Sequence, residues 1–142
     1  MTAQEERNLA VVRRFIDGTV NGGDLGVIDD TWASELTWRG GSLGSFDGRA
    51  AFKAYFATDG AGAFTDMHLT IHEVIAADDK VVLRFTNSGT NVAEFMGNPA
   101  TGKHAEWLGI GIYTVRHGRI VEGWFAEDIL GMLRQLDVLP AQ

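Results

Sequence analysis

The chain has 142 residues, 45% hydrophobic and 22% charged, a composition typical of one folded domain, which we expect to span residues 1–142. Its net charge of −7 argues against nucleic acid or an anionic membrane surface as a partner, because both would repel it. With no cysteine, the sequence excludes disulfide bonds, thiolate nucleophiles and zinc sites built on cysteine.

The first residues carry no targeting signal, and no apolar run is long enough to cross a membrane. Residues 1–7 are polar, and no apolar segment of the signal-peptide type follows them. We therefore expect a cytoplasmic protein whose ligand is a neutral or weakly charged small molecule.

Three helices are predicted in the first half of the chain. Apolar residues recur at three- and four-residue steps from Gln4 to Val20, which is typical of an amphipathic helix. Asp24 is placed to cap a second helix that includes Trp32, and residues 35–39 form a short extended segment. The third helix is predicted from Arg49 to Phe56.

After Asp66 the apolar pattern changes from a helical to an extended period. Tight turns at 78–79 and 117–118 separate consecutive strands. The predicted strands are Met67–Ala77, Lys80–Thr90, His104–Arg116 and Arg119–Phe125. Helices first and an antiparallel meander second is an α+β pattern, so we expect a curved antiparallel sheet wrapped around the N-terminal helices, with an interior pocket between the layers.

The two faces of the predicted strand 104–116 differ. One face alternates large aromatics with glycines, which we interpret as room for a ligand: Trp107, Gly109, Gly111 and Tyr113. The other face carries an aliphatic row: Leu108, Ile110 and Ile112. Because an exposed row of this kind needs a cover, we expect a homodimer through the sheet.

A metal site is not predicted. His68 and His72 share a strand face, but only Asp66 offers a further ligand nearby. We therefore assign no metal and no cofactor to the chain.

The segment from Gly89 to Lys103 reads GTNVAEFMGNPATGK. It resembles a signature of the SnoaL-like polyketide cyclase family, GTHxGxFxGxPPTG followed by a basic residue. A second similarity covers the last strand and the closing helix as far as Leu136, and the turn at 48–52 and the first helix also fit. The resemblance runs over nearly the whole chain. It implies a cone-shaped α+β barrel of the kind found in ketosteroid isomerase and scytalone dehydratase, with an apolar pocket and no metal.

The chemistry implied by the resemblance is ring closure of an aromatic polyketide by intramolecular aldol condensation. That reaction needs a carboxylate in an apolar pocket, placed to take a proton next to a carbonyl. In the family pattern an aspartate directly follows the position of Trp124, whereas this sequence has Phe125, which cannot accept a proton. The signature histidine is replaced by Asn91, and an asparagine of the early extended segment is replaced by Trp38.

Two acids close to Phe125 are candidate catalytic residues. Asp128 matches a common aspartate of the family and would act as a displaced acid/base, or else as the N-cap of the helix that begins at Ile129. Glu127 is the second candidate, with a solvated surface carboxylate as the alternative.

The candidate ligand-binding residues are mostly aromatic and concentrated in one half of the sheet. Those predicted to form a stacking wall for a planar aromatic ligand are Trp38, Trp107, Tyr113, Trp124 and Phe125. Arg39 would bind a phenolate or carboxylate of the ligand, or pair with an acid at the surface. Asn91 is added because the resemblance puts it near the pocket.

The resemblance also implies a second kind of chemistry, because one branch of the family hydroxylates anthracycline-type rings without a metal or bound flavin, and loss of the cyclase aspartate is what that branch would show. We therefore expect a tailoring enzyme of aromatic, anthracycline-type polyketides, related to the cyclases or acting as a cofactor-free hydroxylase. In the hydroxylase reaction the substrate's own reduced, quinone-like ring would react with oxygen, after a separate reductase had prepared it. The alternatives are an aldol cyclase, isomerase or dehydratase that uses Asp128 or Glu127 as base, and a non-catalytic ligand-binding module.

Overall fold

The helices and long strands predicted from the sequence are confirmed, in that order, in the computed structural model, which describes residues 1–57 and 61–138. A short strand that was not predicted, Gly44–Asp47, is added to them. The α-helices of this part of the chain are α1 Ala3–Phe15, α2 Gly26–Thr31, α3 Arg49–Ala57 and α4 Ile129–Leu136. The strands are β1 Trp32–Gly40, β2 Gly44–Asp47, β3 Phe64–Ala77, β4 Lys80–Asn91, β5 His104–Arg116 and β6 Arg119–Glu127. No helix among the described residues is long and apolar enough to cross a membrane.

Helix α1 begins with a capping box. The side chain of Thr2 accepts a hydrogen bond from the Glu5 amide, and the Glu5 carboxylate accepts one from the Thr2 amide. The helix continues into a π-helical turn, Ile16–Val20, so the long predicted helix is confirmed with an irregular end. Trp32 departs from the prediction: it is the first residue of β1 rather than part of the second helix, and it is fully buried.

The six strands form one curved sheet in the order β2-β1-β6-β5-β4-β3. Strands β3 to β6 are the predicted antiparallel meander, and β1 and β6 pair in parallel, which the expectation of a purely antiparallel sheet did not include. Strand β1 pairs with the edge of β6 that faces away from β5, and the two strands run in the same direction. Register shifts in three of the pairs bend the strands, and β2 and β3 remain as free edges.

The main core lies between α1, α3 and the inner face of the sheet. It is built on aromatic contacts, among them Phe15 edge-on to Trp32 with ring centroids 5.3 Å apart and Trp32 against Phe52 at 4.9 Å. A second core lies under α4, where Met132 and Leu136 pack with Trp107. Burial of each such side chain contributes about 1.5–3 kcal/mol to folding.

Strand β6 extends to Glu127, two residues beyond the predicted end. Because side chains alternate along a strand, Gly123, Phe125 and Glu127 face inward while Trp124 and Ala126 face outward. The two faces predicted for β5 are confirmed, with Trp107 only 2% exposed.

Candidate functional site

A cavity of about 250 Å³ lies between the helices and the inner face of the sheet. Its largest group of wall residues is aromatic: Phe15, Trp38, Tyr55, Phe56, Phe64, Phe85, Phe95, Trp107, Tyr113 and Phe125. Its aliphatic and small wall residues are Ile16, Val20, Gly23, Leu43, Ala63, Met67 and Leu69. Its polar side chains are Thr19, Ser42, Asn87 and Glu127. Among the described residues, Glu127 is therefore the charged group of an otherwise uncharged wall.

The Glu127 carboxylate accepts four hydrogen bonds. Its Oε1 atom accepts from the Trp107 indole at 2.7 Å, from the Asn87 amide at 3.0 Å and from the Ser42 hydroxyl at 3.1 Å. Its Oε2 atom accepts from the Ser42 backbone amide at 2.9 Å. Since each carboxylate oxygen has two lone pairs, Oε1 is fully occupied and Oε2 retains the capacity to accept a proton.

The donors that hold Glu127 come from three separate parts of the chain. Trp107 belongs to β5 and Asn87 to β4, both on the inner face of the sheet. Ser42 lies in the short turn Gly41–Leu43 that follows β1, and the parallel pairing of Gly40 with Phe125 brings this turn to the end of β6. The carboxylate is thus fixed by the meander on one side and by the β1–β2 connection on the other.

Phe125, which the resemblance aligns with the cyclase aspartate, stacks on Trp38. Their ring centroids are 3.8 Å apart with an angle of 18° between the planes, and Tyr113 meets Phe125 edge-on at 5.1 Å. The predicted presence of Trp38, Phe125, Trp107 and Tyr113 in the cavity wall agrees with this geometry.

The space beside the β5 glycines is filled by protein side chains, which corrects our interpretation of it as room for a ligand. A Cβ added at Gly109 would lie 2.5 Å from the Phe85 ring, and one added at Gly111 would lie 2.5 Å from the Phe125 ring. These glycines therefore let two phenylalanine rings lie close to the sheet, and the cavity begins above those rings.

Two tyrosines share the cavity wall with Glu127. Burial, together with the Glu127 charge, raises the pKa of the Tyr113 phenol far above its ordinary value. The same two causes, in the same order, raise the pKa of Tyr55. Both phenols therefore remain protonated hydrogen-bond donors over the whole working range of pH.

Asp128, the neighbouring acid, lies outside the cavity. Its side chain is exposed and accepts a hydrogen bond from the Gly131 amide at 2.9 Å, which makes it the N-cap of α4. Its contacts are those of the capping alternative, and it is not among the residues that line the cavity.

Two further candidates, Trp124 and Arg39, lie outside the cavity wall. Trp124 is 55% exposed on the outer face, where its indole donates to Glu122, because it follows Gly123 and precedes Phe125 on an alternating strand. Arg39 faces away from the cavity and forms the predicted surface alternative, an ion pair with Asp47 at 2.6 Å.

Asn91 is buried but also lies outside the cavity wall. Its side-chain amide donates to the carbonyls of Ala63 and Ala93, and its oxygen accepts from Thr101. It thus ties together the two ends of the loop that carries the family-like signature, which is a structural role.

Sequence reasoning missed Asn87, Ser42 and Phe85. Period-two alternation along β4 puts Asn87 in the same inward row as Leu83 and Phe85, so a polar residue in an apolar row was a usable signal. Ser42 gave no comparable signal, because its partner Glu127 is 85 residues away in the sequence. Among the described residues, no group of three or more His, Asp or Glu side chains is arranged to hold a metal ion.

Comparison with known proteins gives one matching family and several solved structures of similar fold. The family model described as SnoaL-like polyketide cyclase matches residues 10–136. IdmH, a proposed polyketide cyclase from Streptomyces antibioticus, is 28% identical with a TM-score of 0.76, covering 92% of this chain and 99% of its own. AclR, a proposed hydroxylase from Streptomyces galilaeus, is 25% identical with a TM-score of 0.79, covering 96% and 89% respectively.

A proposed SnoaL-like polyketide cyclase from Jannaschia sp. CCS1 has the same fold, with a TM-score of 0.87 at 20% identity, covering 99% of this chain and 98% of its own. Among proteins of curated function, none matches this chain.

Proposed function

Because the chain belongs to the SnoaL-like polyketide cyclase family, we propose that it is an enzyme acting on a small aromatic, polyketide-type ketone, with Glu127 as the acid/base. The observation that carries the proposal is the Glu127 carboxylate, held by four donors in a cavity whose other wall residues are uncharged. A fixed carboxylate beside an apolar, aromatic space is the arrangement that proton abstraction next to a carbonyl requires.

The first step would be the same for several reaction outcomes. Glu127 takes a proton from the carbon beside the carbonyl, and the substrate becomes an enolate. Attack of the enolate on a second carbonyl of the same molecule closes a ring, whereas return of the proton to another carbon isomerises the substrate. The proposal covers a cyclase or an isomerase, and the supporting feature is the base that both need.

The proposal is tested with 1-tetralone, a two-ring aromatic ketone whose α-hydrogens exchange with solvent deuterium when a base removes them. We expect the wild-type protein to accelerate exchange, and Glu127→Gln to slow it roughly 10²- to 10⁴-fold, because a positioned base contributes that much. The measurement is the ¹H NMR signal of the α-hydrogens in D₂O. Asp128→Asn is the matched control, since it changes the adjacent carboxylate in the same way.

Equal exchange rates for the wild type and Glu127→Gln would exclude Glu127 as the base. If 1-tetralone and related ketones bind without any accelerated exchange, the acid/base proposal is wrong, and the cofactor-free hydroxylase and a non-catalytic ligand-binding module are the remaining alternatives.

The second candidate is a cofactor-free hydroxylase of anthracycline-type rings. It is supported by Phe125, which stacks on Trp38 where the family pattern has the cyclase aspartate, and by the similarity to AclR. Its substrate would be a reduced, quinone-like ring supplied by a separate reductase, with oxygen as the second reactant. An oxygen-electrode trace with a reduced anthraquinone separates the two candidates, because proton transfer consumes no oxygen.

A further inference from the structure

Tyr113 carries a buried polar group for which the fold supplies no partner. The residue is 1% exposed on the inner face of β5, and it is part of the cavity wall. Its ring is held edge-on against Phe125 and tilted against Trp32. In the described part of the chain its hydroxyl makes no hydrogen bond and is not among the fully enclosed polar atoms, so it borders the cavity, although the hydroxyl of a buried tyrosine nearly always has a partner.

A comparison with Trp32 shows why the Tyr113 hydroxyl, and not every unpartnered polar group, is open to a ligand. The Trp32 indole N–H is fully enclosed without a partner in the described residues, and Trp32 is not part of the cavity wall but packs against Phe15 and Phe52. The Tyr113 hydroxyl is the group that a molecule in the cavity can reach. Its raised pKa keeps the phenol protonated, so it can donate a hydrogen bond to an acceptor in the cavity.

Tyr113 and Glu127 stand at opposite ends of the same inward row. In the β5–β6 pair Tyr113 faces Gly123 and Gly109 faces Glu127, so the two positions are four residues apart, about 13 Å along the strand. The Phe125 ring lies between the two backbone positions and forms an apolar wall. This distance separates backbone positions only: both side chains extend into the same cavity, and the Glu127 charge acts on the Tyr113 phenol, so one small ligand beside Phe125 can meet both groups.

We propose that the Tyr113 hydroxyl donates a hydrogen bond to the carbonyl oxygen of a fused, two-ring aromatic ketone, whose α-carbon faces Glu127. The ligand class deepens the proposed function and rests on it. A cavity of about 250 Å³ suits two rings better than four, since pockets for drug-sized ligands begin at about 300 Å³.

The hydrogen bond would strengthen during the reaction. When Glu127 removes the α-proton, the C–H bond breaks, an O–H bond forms on the Glu127 carboxylate and the electron pair passes to the carbonyl oxygen. The negative charge thus moves from Glu127 to the oxygen beside Tyr113, and the total charge of the site does not change. A donor already in position stabilises the charge that develops there.

The test compares Tyr113→Phe with the wild type, using 1-tetralone and tetralin, which has the same ring skeleton but no carbonyl. Calorimetry should show a roughly 2- to 10-fold weaker affinity of the variant for 1-tetralone, as expected for one neutral hydrogen bond, and an unchanged affinity for tetralin. The deuterium exchange rate of bound 1-tetralone should fall roughly 10²- to 10³-fold, the cost of losing one oxyanion donor. The variant should melt no lower than the wild type, because no internal hydrogen bond is lost.

The possible results separate a failure of the Tyr113 inference from a failure of the proposed function, in which Glu127 is the base. If Glu127→Gln retains full exchange while Tyr113→Phe loses the preference for 1-tetralone over tetralin, the ligand orientation stands and the base assignment is wrong. If Tyr113→Phe keeps that preference, or weakens both ligands equally, Tyr113 is a packing residue and the inference is overturned. Failure of the wild type to bind 1-tetralone overturns the ligand class.

Discussion

Glu127 and Asp128 are adjacent acids with opposite surroundings. Glu127 ends β6 on its inward row and receives four donors, whereas Asp128 lies one residue further on, exposed, and caps α4. A single step along the backbone therefore separates a group that can meet a ligand from a group that stabilises a helix end.

Substitutions at Asp128 should separate stability from activity. Asp128→Ala removes the acceptor for the Gly131 amide and should lower the free energy of unfolding by about 0.5–2 kcal/mol. Asp128→Asn should preserve it, because asparagine caps helices as well as aspartate does. Urea denaturation measures the first effect, and the α-hydrogen exchange rate per folded molecule should be unchanged in both variants. Loss of exchange in a fully stable Asp128→Asn variant would show that Asp128, and not Glu127, is the base that removes the α-proton.

Single residues were predictable from the sequence where strand alternation decides their direction. Trp107 and Tyr113 were correctly assigned to the cavity, since both lie on the glycine-bearing face of β5. Trp124 and Phe125 were both assigned to it, but adjacent residues of a strand point to opposite faces, so only one of them can face inward. The error came from residue type, because an exposed tryptophan is unusual.

At the scale of elements, the turn that follows β1 positions the Glu127 carboxylate. Gly41 has a φ of 69°, and a Cβ there would clash with Oε2 of Glu127. The sequence predicted the extended segment but not its parallel pairing with β6, which joins residues more than 80 positions apart. Local patterns carry information on strands and helices, whereas this pairing depends on how the whole sheet closes over the helices.

Gly41→Ala should reduce proton transfer more than its effect on stability explains. The matched control is Gly44→Ala, because Gly44 has a φ of 87° but no atom within 4 Å of an added Cβ. Each variant should lose on the order of 1–3 kcal/mol of stability from the left-handed backbone. Only Gly41→Ala should also displace the carboxylate and slow α-hydrogen exchange, by roughly tenfold or more, measured under conditions where both variants are folded. Equal exchange rates in the two variants would show that the turn does not position Glu127.

At the scale of the whole molecule, the outer face of the sheet carries an apolar row that crosses four strands. Ile75, Val82, Ile112 and Trp124 are successive cross-strand neighbours in β3, β4, β5 and β6. Ile75 and Trp124 are each 55% exposed, and Ile110 beside them is 46% exposed. The sequence predicted the β5 part of this row, and the register of the sheet extends it.

We expect two copies of the chain to associate through this face. A two-fold axis would bring the row onto itself, and the exposed ion pair of Arg84 with Glu73 next to it supplies both signs of charge for a self-complementary contact. Ile110→Glu should shift the protein to monomers in sedimentation or light scattering. Leu130→Glu, at a 53% exposed position on α4, is the matched control and should leave the dimer intact.

Salt dependence gives an independent check on this assembly. Each chain carries a net charge of −7, so two copies repel at low ionic strength and the apolar row must overcome that repulsion. Dimerisation should therefore tighten as sodium chloride rises from about 0.01 M to 0.15 M, over which the screening length falls from about 30 Å to 8 Å. A dimer that weakens with salt would depend on ion pairs rather than on the apolar row, and a wild-type protein that sediments as a monomer at all concentrations would rule out the association.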